Sequence, residues 1–146
     1  MTFIIGIAGP SCSGKTTLVN ELKNSKFSLD IIHADNYFKH YKEFPKLPNG
    51  WRNTELPENI KSEELIKDLV LLKENSKKDI IIIEGYLIFH FKQILELLNL
   101  KIFIKVSESN QLERRLDRKG HFSDKDFIKQ IVIPAYQKYS KQFCKI

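Results

Sequence analysis

Gly9-Pro10-Ser11-Cys12-Ser13-Gly14-Lys15-Thr16 is the stretch on which the reading of this chain turns. It satisfies the pattern G-x-x-x-x-G-K-[ST] in full, directly after the β-branched run Phe3 to Ala8 and directly before the helical pattern Lys15 to Leu22. Strand, tight turn and helix in that order are what a phosphate-binding loop requires. Glycines at 9 and 14 permit backbone conformations and close approaches that a side chain forbids, so the N–H groups of Ser11, Cys12, Ser13, Gly14, Thr16 and Thr17 can converge on phosphate oxygens at a positive helix end. Lys15 adds an ammonium for the outer phosphates, and the Thr16 hydroxyl is a ligand for Mg²⁺.

Working outward, apolar runs recur at Phe3 to Ala8, Leu29 to His33, Ile80 to Glu84 and Lys101 to Val106. Such runs suit strands buried on both faces of a parallel sheet. Between them, Lys15 to Leu22, Ser62 to Lys73 and Phe89 to Leu98 carry apolar residues at helical spacing, and Asp124 to Gln142 reads as a terminal helix containing Pro134. The expectation is one α/β domain over residues 1–146: three layers, a short parallel sheet of four strands joined by right-handed crossovers, and helices on both faces. Residues 39–59 break the rhythm with three of the five prolines, the Asn49-Gly50 turn signal and several aromatics, so residues 36–60 are expected to form a loop over the substrate. A shorter loop at Lys119 to Ser123 lies within an expected lid over residues 114–124.

Composition narrows the function classes. Lys plus Arg exceed Asp plus Glu by 24 to 18, a formal charge of +6, but the lysines are scattered among acids, as in Lys61-Ser62-Glu63-Glu64, with no basic block to track a nucleic acid. No apolar run approaches the roughly 20 residues of a membrane helix. Cys12 and Cys144 are too few and too far apart for a disulfide framework and are expected to be free thiols. The histidines at 33, 40, 90 and 121 show no zinc spacing with them. A cytoplasmic monomer acting on a small molecule, with neither membrane nor nucleic-acid partner, is the expectation.

A phosphate-binding loop serves many enzymes, so the acceptor side must discriminate among them. Asp35 follows the second strand at the carboxyl edge, where open α/β sheets place ligands, and its carboxylate can orient an attacking hydroxyl and take its proton. Its alternative is a turn cap, since Asp-Asn-Tyr is a plausible turn start. Glu84 ends the most hydrophobic strand and is placed to serve Mg²⁺ or the substrate, with an ordinary strand-end carboxylate as the alternative. Arg114, Arg115 and Arg118 fall on a helix at spacings of three and four, which an anion such as phosphate would stabilise; Asp117 could instead neutralise them on a solvated face. Tyr37, Phe38, Tyr41, Phe44 and Trp51 are candidates for stacking on a base or for plain packing.

These residues together resemble the uridine kinase-like branch of the P-loop kinases, and within it the nicotinamide riboside kinases most. The resemblance rests on Phe3 to Gly9 leading into Ser13 to Leu18, then Asp35 to Lys39, Asn49-Gly50-Trp51, Ile82 to Phe89, the Arg114-Arg115 pair with Arg118, and Pro134 to Tyr139. It implies a P-loop NTPase sheet of nucleoside/nucleotide kinase type with strands in the order 2-3-1-4, and phosphorylation of a ribonucleoside 5′-hydroxyl by ATP with Mg²⁺. Asp35 would hold the ribose hydroxyls and act as base, Glu55 would contact the substrate, Glu84 would serve the metal shell, and Arg115 and Arg118 would belong to the lid. Three departures accompany it. The family continues past the Pro134 helix into another strand, which leaves four strands here; Thr54 stands where the nicotinamide riboside kinases have an aromatic, with His121 and Phe122 as candidates for the second aromatic; and the acidic motif that uridine kinases carry after the substrate loop is not recognisable. Nicotinamide riboside is the leading substrate expectation. The alternatives are a uridine or cytidine kinase, a 5′-hydroxyl polynucleotide kinase, and an inactive nucleotide-binding regulator.

Overall fold

The computed structural model describes residues 2–118 and 124–145. Strands β1 (Phe3–Ala8), β2 (Leu29–His33), β3 (Ile80–Glu84) and β4 (Leu100–Phe103) form one parallel sheet in the order β2-β3-β1-β4, as the sequence leads one to expect. Around it lie α1 (Lys15–Lys23), α2 (Ser62–Asn75), α3 (Lys92–Leu97), α4 (Glu108–Asp117), the short turn α5 (Lys125–Phe127) and α6 (Ile133–Phe143).

Strand periodicity explains how an unbroken isoleucine run serves two faces. In β3, Ile81 and Ile83 point to one side with Ile4, Leu65, Leu69, Ile94 and Phe143, which places α2, α3 and α6 there. Ile82 points to the other side, with Ile7 of β1 and Val19 of α1. Each fully buried isoleucine contributes about 1.5–3 kcal/mol relative to exposure, so this central strand anchors the sheet.

Where boundaries differ from the sequence reading, pairing and hydrogen bonding account for it. The fourth strand ends at Phe103 rather than Val106 because its partner β1 ends at Ala8, the last residue in register before the phosphate-binding loop turns away. One further bond, Ile104 N to Ala8 O at 2.8 Å, closes the ladder. The expected helix from Phe89 opens instead with a 3₁₀ turn, Ile88–His90, before α3. The terminal helix starts where expected: Asp124 caps it by accepting from Phe127 N at 2.8 Å. Between α5 and α6 it passes through a π-helical stretch, Ile128–Val132, directly before Pro134. Proline has no N–H to give and its ring crowds the preceding turn, and a π-bulge is one way for a helix to absorb that.

Register places the chemistry. His33, Glu84 and Ile7 lie side by side at the carboxyl ends of β2, β3 and β1. The chain leaves β1 towards β2 on one side of the sheet and returns from β3 to β4 on the other, so the crevice lies beyond the ends of β1 and β3. Among the described residues no helix is long and apolar enough to cross a membrane.

Gly85, just past β3, is where this edge is packed most tightly. A Cβ there would lie 2.6 Å from the Ala34 Cβ and 3.1 Å from Ile88 Cγ2, and Ala34 is itself buried with no flexible side chain to give way. Gly85→Ala is therefore expected to lower the unfolding free energy by about 1–3 kcal/mol. Urea denaturation will measure it, and adding Ala34→Gly should restore most of the loss; equal destabilisation by the single and double variants would contradict this origin.

Candidate active site

The loop that follows β1 is held by its own backbone. Ser13 N donates to Pro10 O at 3.2 Å and Leu18 N to Gly14 O at 2.9 Å. Gly14, at φ 95°, adopts the left-handed conformation that opens α1, and Cys12 also has a positive φ of 62°. Lys15 is buried, with Nζ donating to Pro10 O at 2.9 Å, so the ammonium is folded back over the loop it belongs to. Burial pushes its pKa down, opposed in turn by the negative charges of Glu84 and Asp35.

Those carboxylates come from the neighbouring strands. Asp35 lies in the 3₁₀ turn Ala34–Tyr37 that follows β2. Its surface opens onto the cavity, yet partial desolvation by the surrounding protein, then the charge of Glu84, raise its pKa, against the opposing influence of Lys15, Arg118 and His33. Glu84 is buried at the end of β3, and His33 Nδ1, its register partner on β2, donates to Glu84 Oε1 at 2.7 Å.

A cavity of about 970 Å³ opens above these groups. The phosphate-binding loop, from Ser11 to Thr17, and Asp35 form its floor. One wall is the loop after β2, which is closed at its base by the Phe38 to Ile60 bridge and by bonds from Lys39 N to Asn59 O and from Lys61 N to Tyr37 O, both 2.8 Å. The same loop is folded on itself by a Lys46 to Arg52 bridge around the Asn49-Gly50 turn. From this wall Phe38, Tyr41 and Phe44 face the cavity as a set of tilted rings, with Phe44 centred 6.1 Å from Phe38 and 5.7 Å from Tyr41.

The opposite wall is α4. Ser107 caps it, accepting from Asn110 N at 3.2 Å, and its last turn carries Arg114 and Arg115, with Arg118 directly after its end. Arg114 Nη1 donates to Cys12 O at 3.3 Å, while Arg118 Nη1 lies 3.4 Å from Ser11 Oγ and 3.8 Å from Cys12 Sγ. Both cations thus sit on the phosphate-binding loop. Arg115 turns the other way and is buried against Glu55, with Nη2 3.7 Å from Oε1. Thr54 Oγ1 also donates to Glu55 Oε1, at 2.7 Å. Burial raises the pKa of Glu55 despite the opposing influence of Arg115 and of the Thr54 bond.

Of the residues singled out from sequence, Ser11, Cys12, Ser13, Gly14, Lys15, Thr16, Thr17, Asp35, Phe38, Glu55, Arg114, Arg115 and Arg118 line this one cavity. Gly9 lies just behind it, where a Cβ would come within 2.7 Å of Ile104 O. Glu84 is in the layer beneath and interacts electrostatically with both Lys15 and Asp35. Tyr37 and Trp51 lie outside the cavity. The Tyr37 hydroxyl donates to Asp68 Oδ2 on α2 at 2.7 Å, and burial with that acidic partner pushes its pKa up to about 12. The Trp51 ring stands edge-on to Phe127, with centroids 5.5 Å apart, in a separate apolar cluster. His121, Phe122 and the loop from Lys119 to Ser123 fall outside the described residues.

The sequence reading passed over two residues. His33 was weighed only as a zinc ligand, although it ends its strand as Glu84 ends the adjacent one. Tyr86 was passed over too, although it follows Gly85 at the carboxyl edge; it lines the cavity.

Mg²⁺ suits the oxygen donors here. Among the described residues no group of three or more His, Cys, Asp or Glu could hold a metal by itself. Mg²⁺ commonly takes only one or two protein oxygens and completes its shell with phosphate and water. Thr16 opens onto the cavity, and Asp35 and Glu84 are close enough for one carboxylate to disfavour the charge of the other, a repulsion a cation would offset.

Comparison with known proteins agrees with this geometry. A family model described as AAA domain matches residues 5–131. Human nicotinamide riboside kinase 1 is 27% identical over 155 residues, covering 97% of this chain and 78% of its own. A uridine kinase of Mycoplasma genitalium is 32% identical over 165 residues, covering 92% of this chain and 77% of its own. Among solved structures, a possible uridine kinase from Bacillus stearothermophilus superposes with a TM-score of 0.57 at 18% identity, over 89% of this chain and 83% of that one, a likeness of fold. Because the family model runs from β1 through the arginine helix, and the uridine kinase is matched over most of its own length, the chain belongs to the uridine kinase-like family of P-loop kinases.

Proposed function

We propose that this protein transfers the γ-phosphoryl group of ATP to the 5′-hydroxyl of a ribonucleoside, with nicotinamide riboside as the leading substrate. The observation that carries the reading is that Lys15 and Asp35 face one cavity whose far wall is aromatic: a phosphate site and a base for a hydroxyl stand beside a surface on which a nucleobase can stack. The similarity to human nicotinamide riboside kinase 1 supports that substrate. Uridine is the second reading, supported by the higher identity to the Mycoplasma genitalium uridine kinase. Glu55 in the acceptor wall weighs against a polynucleotide, whose phosphates a buried carboxylate would repel.

In the transfer, the acceptor oxygen forms a bond to the γ-phosphorus as the bond to the leaving ADP oxygen breaks, and the hydroxyl proton passes to the Asp35 carboxylate. Lys15, Arg114 and Arg118 gather on the phosphate-binding loop and offset the negative charge that spreads over the phosphoryl oxygens. Glu84, held by His33, and Thr16 would hold Mg²⁺, which when bound neutralises phosphate charge. The buried pair of Glu55 and Arg115 joins the acceptor wall to the arginine helix, so the two walls form one continuous enclosure.

The decisive experiment measures ADP release by purified protein with Mg-ATP against nicotinamide riboside, uridine, cytidine and a 5′-hydroxyl oligonucleotide. Turnover of a nucleoside and none of the oligonucleotide is expected; the reverse would sink the reading. Asp35→Asn should reduce kcat by roughly 10²–10⁴-fold while ATP binding persists. Because the pKa of Asp35 is raised, the acid limb of kcat/KM should fall at a pH above that of an ordinary aspartate.

A stability prediction follows from the buried pair. Glu55 has a raised pKa, so the folded state holds its proton more tightly than the unfolded chain, and its contribution to stability declines as pH rises from the ordinary carboxyl value through the folded one. Arg115→Met removes the cation that restrains this rise. The variant should therefore lose about 3–5 kcal/mol at pH 8 and much less near pH 5, as read from urea midpoints at the two pH values. A loss independent of pH would show that Glu55 is not the group left uncompensated.

A further inference from the structure

Arg52 does not line the cavity, yet it is joined to the aromatic wall at two points. Its Nη1 donates to Phe44 O at 2.7 Å, and its guanidinium carbon lies over the Tyr41 ring, 5.9 Å from the centroid. Both contacts reach back across the Asn49-Gly50 turn, whose arms are tied by the Lys46 to Arg52 bridge and by Asn53 N donating to Pro45 O at 2.9 Å. The guanidinium is therefore anchored through its own backbone to the segment it braces.

The wall needs such a brace because the core of the sheet does not supply one. Phe44 is buried, but it belongs to none of the three apolar clusters formed by the described residues; its ring contacts are Phe38 and Tyr41 in the same loop. Tyr41 is 44% exposed and opens the three-residue 3₁₀ turn Tyr41–Glu43. His40 closes that turn locally, its side chain accepting from Lys42 N at 3.2 Å and its N–H donating to Glu43 Oε2 at 2.8 Å. These bonds fix the shape of the turn but not its orientation towards the cavity. Rings that face a ligand rather than a core lose affinity to the entropy of ordering them, unless another group orders them beforehand. A guanidinium suits that task, since it is planar and can donate in its plane to a carbonyl while its face lies on a ring.

We propose that Arg52 is a positioning residue for the acceptor: by bonding Phe44 O and covering Tyr41 from outside the cavity, it preorganises the aromatic wall on which the base of the substrate rests. The inference rests on the nucleoside kinase reading above. Its consequence is one-sided. Arg52 braces only the acceptor wall, whereas the donor side is built from the phosphate-binding loop with Arg114 and Arg118, so its loss should weaken the grip on the nucleoside and leave the grip on ATP.

The test compares wild type with Arg52→Met, which keeps an unbranched stem without donor or charge, with Arg52→Lys, which keeps a cation and a donor, with Tyr41→Leu, and with the double variant Arg52→Met/Tyr41→Leu. KM for the nucleoside and KM for ATP are measured separately, on whichever of nicotinamide riboside and uridine the wild type phosphorylates faster, with thermal melts alongside. Arg52→Met is expected to raise the nucleoside KM about five- to ten-fold while kcat and the ATP KM stay within about two-fold. Arg52→Lys should recover part of the loss. In the Tyr41→Leu background, Arg52→Met should cost clearly less than in wild type, because part of what the guanidinium holds is already gone. Should Arg52→Met melt below the assay temperature, Arg52→Lys carries the same comparison of the two KM values. An unchanged nucleoside KM, a parallel rise in both KM values, or an equal cost in the two backgrounds would each overturn the inference and leave the kinase reading standing. A wild type that phosphorylates no nucleoside would overturn the kinase reading and this inference with it.

Discussion

The charge on Lys15 is the constraint on which the site depends. An ammonium taken out of water favours losing its proton, and Lys15 is only 8% exposed. What opposes that loss is the arrangement of the sheet edge. Glu84 at the end of β3 and Asp35 just past β2 bring negative charge to it, and Pro10 O accepts a hydrogen bond from it within the loop. Shift β3 by one residue against β1 and Glu84 would move to the other face, because side chains alternate along a strand. The register of Ile7 with Glu84, and of Glu84 with His33, is therefore an electrostatic condition as well as a packing one.

This dependence explains why a tightly packed glycine, Gly85, lies beside the site. Ala34 and Gly85 meet where β2 and β3 end, one residue before Asp35 and one after Glu84. A side chain at Gly85, or one larger than a methyl at Ala34, would push these strand ends apart. The isoleucine-rich core holds the strands in line, but the close backbone approach at this edge converts that alignment into a fixed distance between acidic groups.

Much of the fold was legible in the sequence because parallel strands buried on both faces leave continuous apolar runs, and a phosphate-binding loop announces the strand before it and the helix after it. The three complete strands followed from that pattern, and their order from the resemblance to P-loop kinases. The end of β4 did not, since only β1 pairs with it, and its extent is set by where β1 turns away rather than by its own residues. The same distinction runs through the site. Residues fixed by local chemistry, from Ser11 to Thr17 and at Asp35, fall where the motif puts them. The aromatics do not sort themselves in sequence: Phe38 faces the cavity, the adjacent Tyr37 turns to Asp68, and Trp51 packs on Phe127, because only the folded loop decides which ring covers which surface.

The arginine helix shows how one element serves two ends of a substrate. Arg114, in the last turn of α4, and Arg118, just past its end, both reach the phosphate-binding loop, whereas Arg115 is rotated by one position onto the neighbouring face and meets Glu55. The end of one helix thus separates two surface cations for a mobile anion from one buried cation paired with a carboxylate. The exposed pair can change partners when phosphate arrives, at little desolvation cost. The buried pair cannot, since separating it would strand a charge in the interior. Through Arg115 the helix α4, which lines the donor side, is thus joined to the loop that carries Glu55 and the aromatic wall, and neither wall can part from the other without breaking the buried pair.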